Sequence, residues 1–179
     1  MTTTAPLPAD EAERLKVLAA CAILDSPPEQ SYDDLTQLAA YVCGTPMALV
    51  SLIDANRQWF KSRIGVRPSQ TGREISFCAY TILRPEPLIV ADTLRDPRFL
   101  GSSLVIGEPF IRFYAGVPLR TREGYALGTL CVLDQKPRQL EPEQLDQLKA
   151  LARLAAFLLE LRRAVPRLHD TLANLYERP

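Results

Sequence analysis

Histidine is almost absent from this chain, and the single copy, His169, stands near the C-terminal end. A Ser-His-Asp or Cys-His arrangement would have to recruit a residue from outside the main body of the sequence. Histidine-ligated haem or zinc within that body is excluded by the same count. Cysteine is sparse as well: Cys21, Cys43, Cys78 and Cys131 form no C-x-x-C pair. Neither a zinc site nor a redox dithiol motif is signalled, and four free, mostly buried thiols are expected. Net charge is missing too, because Lys plus Arg and Asp plus Glu both total 21. This removes the long-range field expected of a nonspecific nucleic-acid binder. No apolar run approaches the roughly 20 residues of a membrane helix. The opening MTTTAPLPADEAERL lacks the basic start and apolar core of a secretory signal. These absences predict a soluble, cytoplasmic protein without a metal centre, a membrane segment or a nucleic-acid partner.

What is present fits one domain, since a single core commonly occupies about 100–200 residues and the chain has 179. Residues 1–9 mix Thr, Ala and Pro and read as a flexible lead-in. Asp10 is placed to cap a first helix carrying Leu15, Leu18 and Ala22 on one side. After the proline-broken LDSPPEQ, Ser31 and Asp34 have the spacing of a capping box for a second helix. Its stripe of Leu35, Leu38, Ala39 and Val42 suits a sheet face. Met47–Asp54 is apolar at nearly every position, as a central strand would be. Gln58–Ile64 is mixed: strict alternation puts Phe60 and Ile64 on one face and Trp59, Lys61 and Arg63 on a wet one. Gly65–Ile75 has turn chemistry without a period and reads as a mobile loop. Ser76 is a capping candidate for the short helix FCAYTIL.

The most informative stretch is Phe110–Asp134, where IRFYAGVPL and ALGTLCVLD flank the polar turn RTREG. This is the pattern of an antiparallel hairpin inside a sheet. Together with ALVSLIDANRQWFKSRIG, SFCAYTIL, PLIVADT and RDPRF upstream, in that order, the chain resembles the GAF domain family from about Glu11 to Arg163. The closest likeness is to bacterial sensor modules that precede histidine kinases or diguanylate cyclases. The resemblance implies an α/β sandwich: a mainly antiparallel sheet of about five or six strands, terminal helices on one face, and pocket-forming loops and short helices on the other. It also implies a noncatalytic sensory role, in two-component or related signalling. Its domain would run over 10–165, followed by a helical tail over 166–179.

A small-molecule pocket needs apolar walls and a few orienting polar groups. Phe77, Tyr80, Phe113 and Tyr114 are candidate walls, and Trp59 is a wall, a cover for the helices or a dimer contact. Arg112 sits in an apolar strand and needs an internal partner, Asp92 or a backbone carbonyl, or a ligand. In the turn RDPRF, Asp96 and Pro97 set the bend and Phe99 anchors it. Cys78 lies near a helix N-terminus, where a thiolate is favoured. Bilin-binding members of the family carry a His directly after their cysteine, whereas Ala79 follows here. The cyclic-nucleotide signature of the family is not completed after NRQWF. Cys78 and Cys131 leave one enzymatic alternative, a cysteine-dependent reductase resembling the free methionine sulfoxide reductases. A pure dimerisation module with a filled pocket is the third reading.

The last long helix is expected from Pro142 to about Val165. It carries two stripes: Leu145, Leu148, Ala152, Ala155 and Leu159, and Leu151, Leu154, Leu158, Leu161 and Val165. One stripe docks on a sheet, and a second is what a helix needs to meet another helix, so a homodimer is expected. The ligand, and any kinase or cyclase output in cis or trans, have no motif in this chain.

Overall fold

The computed structural model describes residues 4–176, with side chains through position 165. Helices α1 (Glu11–Ala20) and α2 (Gln30–Cys43) lead into the strands β1 (Met47–Ile53), β2 (Arg57–Ile64) and β3 (Gln70–Gly72). A short α3 (Phe77–Thr81), β4 (Leu88–Val90) and α4 (Ser103–Ile106) follow. The hairpin β5 (Phe113–Arg120) and β6 (Ala126–Asp134) comes next, and α5 (Pro142–Tyr176) closes the chain. The six strands form one sheet in the order β3-β2-β1-β6-β5-β4, with every neighbouring pair antiparallel. All residues of β1 and β6 are buried, as the near-continuous apolar run of Met47–Ile53 requires of a central strand.

Alternation along the strands makes two cores. Ala48, Val50 and Leu52 face the helices with Leu130 and Val132, while Met47, Leu49 and Ile53 face the opposite layer with Cys131 and Leu133. The helix layer inserts Leu18, Leu35, Ala39, Leu148, Ala152 and Ala155. The first stripe of α5 is thus the one that docks. Helix α2 ends at Gly44, whose φ of 61° supplies the left-handed stop that glycine adopts without a Cβ clash.

Unbroken alternation fails in β2. Val50 pairs with Ser62 but Ser51 pairs with Phe60, so Lys61 is the extra residue of a β-bulge. Trp59, opposite Leu52, and Ile64, opposite Ala48, therefore both face the helices, and Phe60 faces away. The strand is not half wet: Gln58 through Ser62 are all buried. Lys61 is enclosed because its ammonium donates to Ser26 Oγ at 2.7 Å, to Pro27 O at 2.6 Å and to Glu29 at 2.6 Å. Arg162 of α5 donates to the same Glu29 oxygen at 2.6 Å. This buried cation is satisfied by one charge and two neutral acceptors, as burial of an ammonium demands.

Several local expectations are corrected. Asp10 occupies the cap position of α1 without a side-chain cap bond. Ala22 leaves the helix at φ 46°, and Cys21 takes the buried place beside Leu18. Helix α2 begins at Gln30, which puts Ser31 inside it, so no capping box forms with Asp34. Leu38 of its stripe is exposed while Tyr32 and Thr36 are buried. Gly65–Ile75 is not a structureless loop: it contains β3, paired with β2, and a 3-10 turn over Arg73–Ile75. The Ser76 cap is present, its Oγ accepting from the N–H of Ala79 at 3.1 Å. Helix α5 continues beyond Val165 to Tyr176 in one piece, with Pro166 tolerated at the loss of one backbone bond. The side chains of Leu168, His169, Leu172 and Leu175, and residues 1–3 of the lead-in, lie outside the described residues.

One ion cluster ties α1 to the opposite layer. Glu11 accepts from Arg14 Nε at 2.8 Å and Nη2 at 2.9 Å, and from Arg73 Nη1 at 2.5 Å. Arg14 and Arg73 are both buried. Burial alone would raise the Glu11 pKa, but the hydrogen bonds and charges of the two arginines outweigh it and bring it from 4.5 to about 2. With the folded-state pKa depressed, the stabilisation is complete above about pH 4.5 and is lost as pH falls toward 2. Glu11→Gln is expected to cost about 1.5–3 kcal/mol at neutral pH. Urea unfolding across the acid range should show that difference shrinking through this window.

Candidate functional site

Between the sheet and the layer formed by α3, α4 and the loops lies a cavity of about 490 Å³. Its walls are apolar side chains of the sheet face turned away from the helices: Leu49, Phe60, Tyr114 and Leu133. Phe77 and Cys78, in the first turn of α3, and Ile111, before β5, complete them. The bulge at Lys61 is what delivers Phe60 to this side. Phe77 is held by stacking on Phe99 and Tyr114, with ring centroids 4.2 and 5.2 Å apart.

Two polar residues of the lining, Gln58 and Thr71, are paired across β2 and β3. Gln58 is buried and accepts from Ser76 Oγ through its amide oxygen. The hydroxyl of Thr71, on β3, is buried with no hydrogen-bond partner and lines the cavity. A buried hydroxyl without a partner is uncommon because desolvation is then uncompensated. Arg67, Glu108 and Gln135 stand on the lining with Phe110, a 44% exposed aromatic whose φ is 57°.

Beneath the wall is a closed polar cluster. Cys78 Sγ lies 3.7 Å from Cys131 Sγ. It accepts from Thr129 Oγ1 at 3.0 Å and from Tyr114 Oη at 3.4 Å. Thr129 is bonded to Ser51 at 3.0 Å, and Tyr114 to Thr81 at 2.7 Å. Burial, the largest influence, opposes a Cys78 thiolate, but the donors from Cys131, Ser51, Thr129 and Tyr114 overcome it and bring the thiol down to about 6. Cys131 moves the other way, raised by burial and by its neighbour Cys78. Tyr114 is raised for the same two reasons. The phenol reaches Cys78 by lying along its own strand over Gly116, where a Cβ would overlap it.

Of the residues expected at a site, Phe77, Cys78 and Tyr114 line the cavity, and Cys131 lies directly behind Cys78. Trp59 takes the second of its three expected places, covering the helices, and Phe113 belongs to the same helix-side core rather than to the cavity. Phe113 and Tyr114 are adjacent in one strand and so cannot face the same way. Tyr80 packs edge-on against Phe99 at 5.2 Å and beneath Arg98, off the cavity. The Arg112–Asp92 pair does not form. Arg112 donates to the carbonyls of Val105 and Ile111 at 2.8 and 3.1 Å, while Asp92 caps the turn at Leu94 and pairs with Arg95. Arg112 thus braces the loop that carries Ile111. Asp96 does set the turn RDPRF, receiving the Arg98 N–H at 3.0 Å. Gln58, Thr71, Phe60 and Ile111 were missed. Phe60 and Gln58 depend on the bulge, and Thr71 lies in a segment whose sequence has no strand period.

Cys21, Cys43, Cys78 and Cys131 are buried thiols outside any disulfide. No cluster of metal-ligating side chains occurs among the described residues, and no described helix is long and apolar enough to cross a membrane.

Sandwich topology, terminal helices and a loop-covered cavity define a sensor-type α/β module, and the model of the GAF domain matches residues 27–159. The chain belongs to the GAF domain family. It is 40% identical, over 98% of its length, to a Pseudomonas aeruginosa protein named cyclic di-GMP phosphodiesterase PA2567, of which it spans 30%. The GAF domain of an Acinetobacter phosphoenolpyruvate-protein phosphotransferase has the same fold, with a TM-score of 0.64 and 17% identity, covering 87% of this chain and 98% of that one. So does the blue-light absorbing form of the Thermosynechococcus elongatus PixJ GAF domain, with a TM-score of 0.63 and 15% identity, covering 97% and 99%. At these identities the two structures speak to fold alone.

Gly116→Ala is expected to push the Tyr114 phenol off Cys78 and destabilise the fold by about 1–3 kcal/mol. Urea unfolding reads the loss, and a changed tyrosine signal in near-UV circular dichroism reads the displacement.

Proposed function

We propose that this GAF domain senses a small, largely apolar molecule with one polar end, bound in the cavity between the sheet and α3. The carrying observation is the pairing of aromatic walls, Phe60, Phe77 and Tyr114, with the unpartnered Thr71 hydroxyl and its cross-strand neighbour Gln58. A ligand that satisfies Thr71 favours one arrangement of the 65–75 segment. Arg73 lies in that segment and is clamped by Glu11, so the preference reaches α1 on the far side of the sheet. Differential affinity for two arrangements is all that such a signal requires.

The output in this reading is a cyclic di-GMP phosphodiesterase, attached in cis or met in trans, rather than the histidine kinase or diguanylate cyclase suggested by resemblance alone. The support is the name of the relative, 30% of whose length this chain spans. The module itself is regulatory and noncatalytic.

The second stripe of α5 supports a homodimer. Leu154, Leu161 and Val165 of that stripe are 53, 45 and 64% exposed, with Phe157 beside them at 48%, while its Leu151 and Leu158 pack against the helix-side core; exposed apolar residues three and four apart suit a helix–helix seam. Leu154→Glu with Leu161→Glu is expected to leave the melting temperature within a few degrees and convert dimer to monomer in sedimentation velocity; a wild-type monomer overturns this reading.

Native mass spectrometry of the freshly purified protein, followed by denaturing analysis, should release a small molecule in proportion to protein. Ile111→Trp, which fills the cavity, should lose that molecule and any melting shift it produces while keeping the far-UV spectrum. Retention of the molecule by Ile111→Trp would place it elsewhere and sink the proposal.

A further inference from the structure

The cluster beneath the cavity wall has a chemistry that ligand sensing does not use. Tyr114 and Thr129 aim their hydroxyls at one sulfur, that of Cys78. A neutral thiol is a weak acceptor, whereas a thiolate repays two buried donors. Each donor is itself backed by a second hydroxyl, Tyr114 by Thr81 and Thr129 by Ser51. The two sulfurs are also unequal in access: Cys78 lines the cavity, and Cys131 is behind it on the central strand β6. A nucleophile on the cavity lining with a second thiol 3.7 Å behind it is the arrangement of a reacting and a resolving cysteine.

We propose that Cys78 and Cys131 form a hydroperoxide-responsive dithiol, with the cavity admitting the oxidant. The Cys78 thiolate attacks the terminal oxygen of a hydroperoxide ROOH, forming an S–O bond and breaking the O–O bond. Cys78 becomes a sulfenic acid, and the alkoxide takes up the proton released by the thiol and leaves as ROH. The Cys131 sulfur then attacks the Cys78 sulfur, forming S–S and breaking S–O, and the departing hydroxide takes the Cys131 proton as water. Two thiols lose two electrons, and the peroxide is reduced by two. Closing the bond brings the sulfurs from 3.7 Å to about 2.05 Å, which pulls the first turn of α3 toward β6. Phe77 precedes Cys78 in that turn, so the oxidised form presents an altered cavity wall.

Cys43 is the internal control. It is buried in the helix-side core, away from the cavity, and burial pushes its thiol up to about 11. The reduced full chain is treated with stoichiometric hydrogen peroxide, quenched, unfolded and alkylated. The expected product has lost about 2 Da, takes up two alkyl groups fewer, and yields a Cys78–Cys131 peptide. Cys131→Ser should stop at a sulfenic acid on Cys78, about 16 Da heavier and trapped by dimedone. Tyr114→Phe retains both thiols and should slow Cys78 oxidation roughly tenfold by removing a donor. Cys21→Ser with Cys43→Ser should leave the reaction unchanged. Oxidation of all four thiols at similar rates, no reaction at Cys78 in folded protein, or an unaltered rate in Tyr114→Phe would overturn the proposal. The oxidation is run on protein that native mass spectrometry shows to carry no bound molecule, so failure here and failure of the sensing proposal are separable.

Discussion

Burial of β6 on both faces is the constraint from which the rest of the architecture follows. Every residue from Ala126 to Asp134 is buried, and a strand with two apolar faces is stable only if each is covered. One face is covered by α1, α2 and α5, whose small residues Ala39, Ala152 and Ala155 let helices approach the sheet closely. The other is covered by short elements, α3 and α4, and by loops, which leave a cavity. The division of labour between a rigid face and an open one is therefore a property of what covers the strand, not of the strand itself.

Two buried charge clusters tie helices to segments of the sheet. Lys61 is held by the α1–α2 connection and shares Glu29 with Arg162 of α5. Arg14 and Arg73 meet on Glu11 across the sheet edge. Buried pairs of this kind contribute little net stability compared with apolar packing, but removing one partner is costly. They specify one arrangement of helices on sheet, and each cluster joins segments more than 30 positions apart in sequence.

The periodic parts of this fold were legible in the sequence, and the aperiodic parts were not. Met47–Ile53, the β5–β6 hairpin, the docking stripe of α5 and the Ser76 cap each rest on a local pattern that tertiary structure had no reason to override. The faces of β2 were misread because one inserted residue, Lys61, inverts the parity of those around it, and nothing in QWFKSR announces an insertion. That single inversion removed Phe60 and Gln58 from the expected site. Phe113 was avoidable, since alternation from Tyr114 already excludes it. The pairing of Cys78 with Cys131 was legible as a pair of candidates, but their contact joins α3 to β6, which only the folded chain shows.

Helix α5 has 35 residues, about 52 Å at 1.5 Å per residue, whereas the nine residues of β6 extend about 30 Å. Its docked face ends near Leu159, so much of its length overhangs the sheet like the long arm of a beam pivoted at one end. The 17 residues from Glu160 to Tyr176 make an overhang of about 25 Å, and a tilt of about 5° at the pivot carries its tip through roughly 2 Å. Rearrangements too small to disturb packing at the sheet are in this way turned into a displacement of atomic size at the far end of the helix.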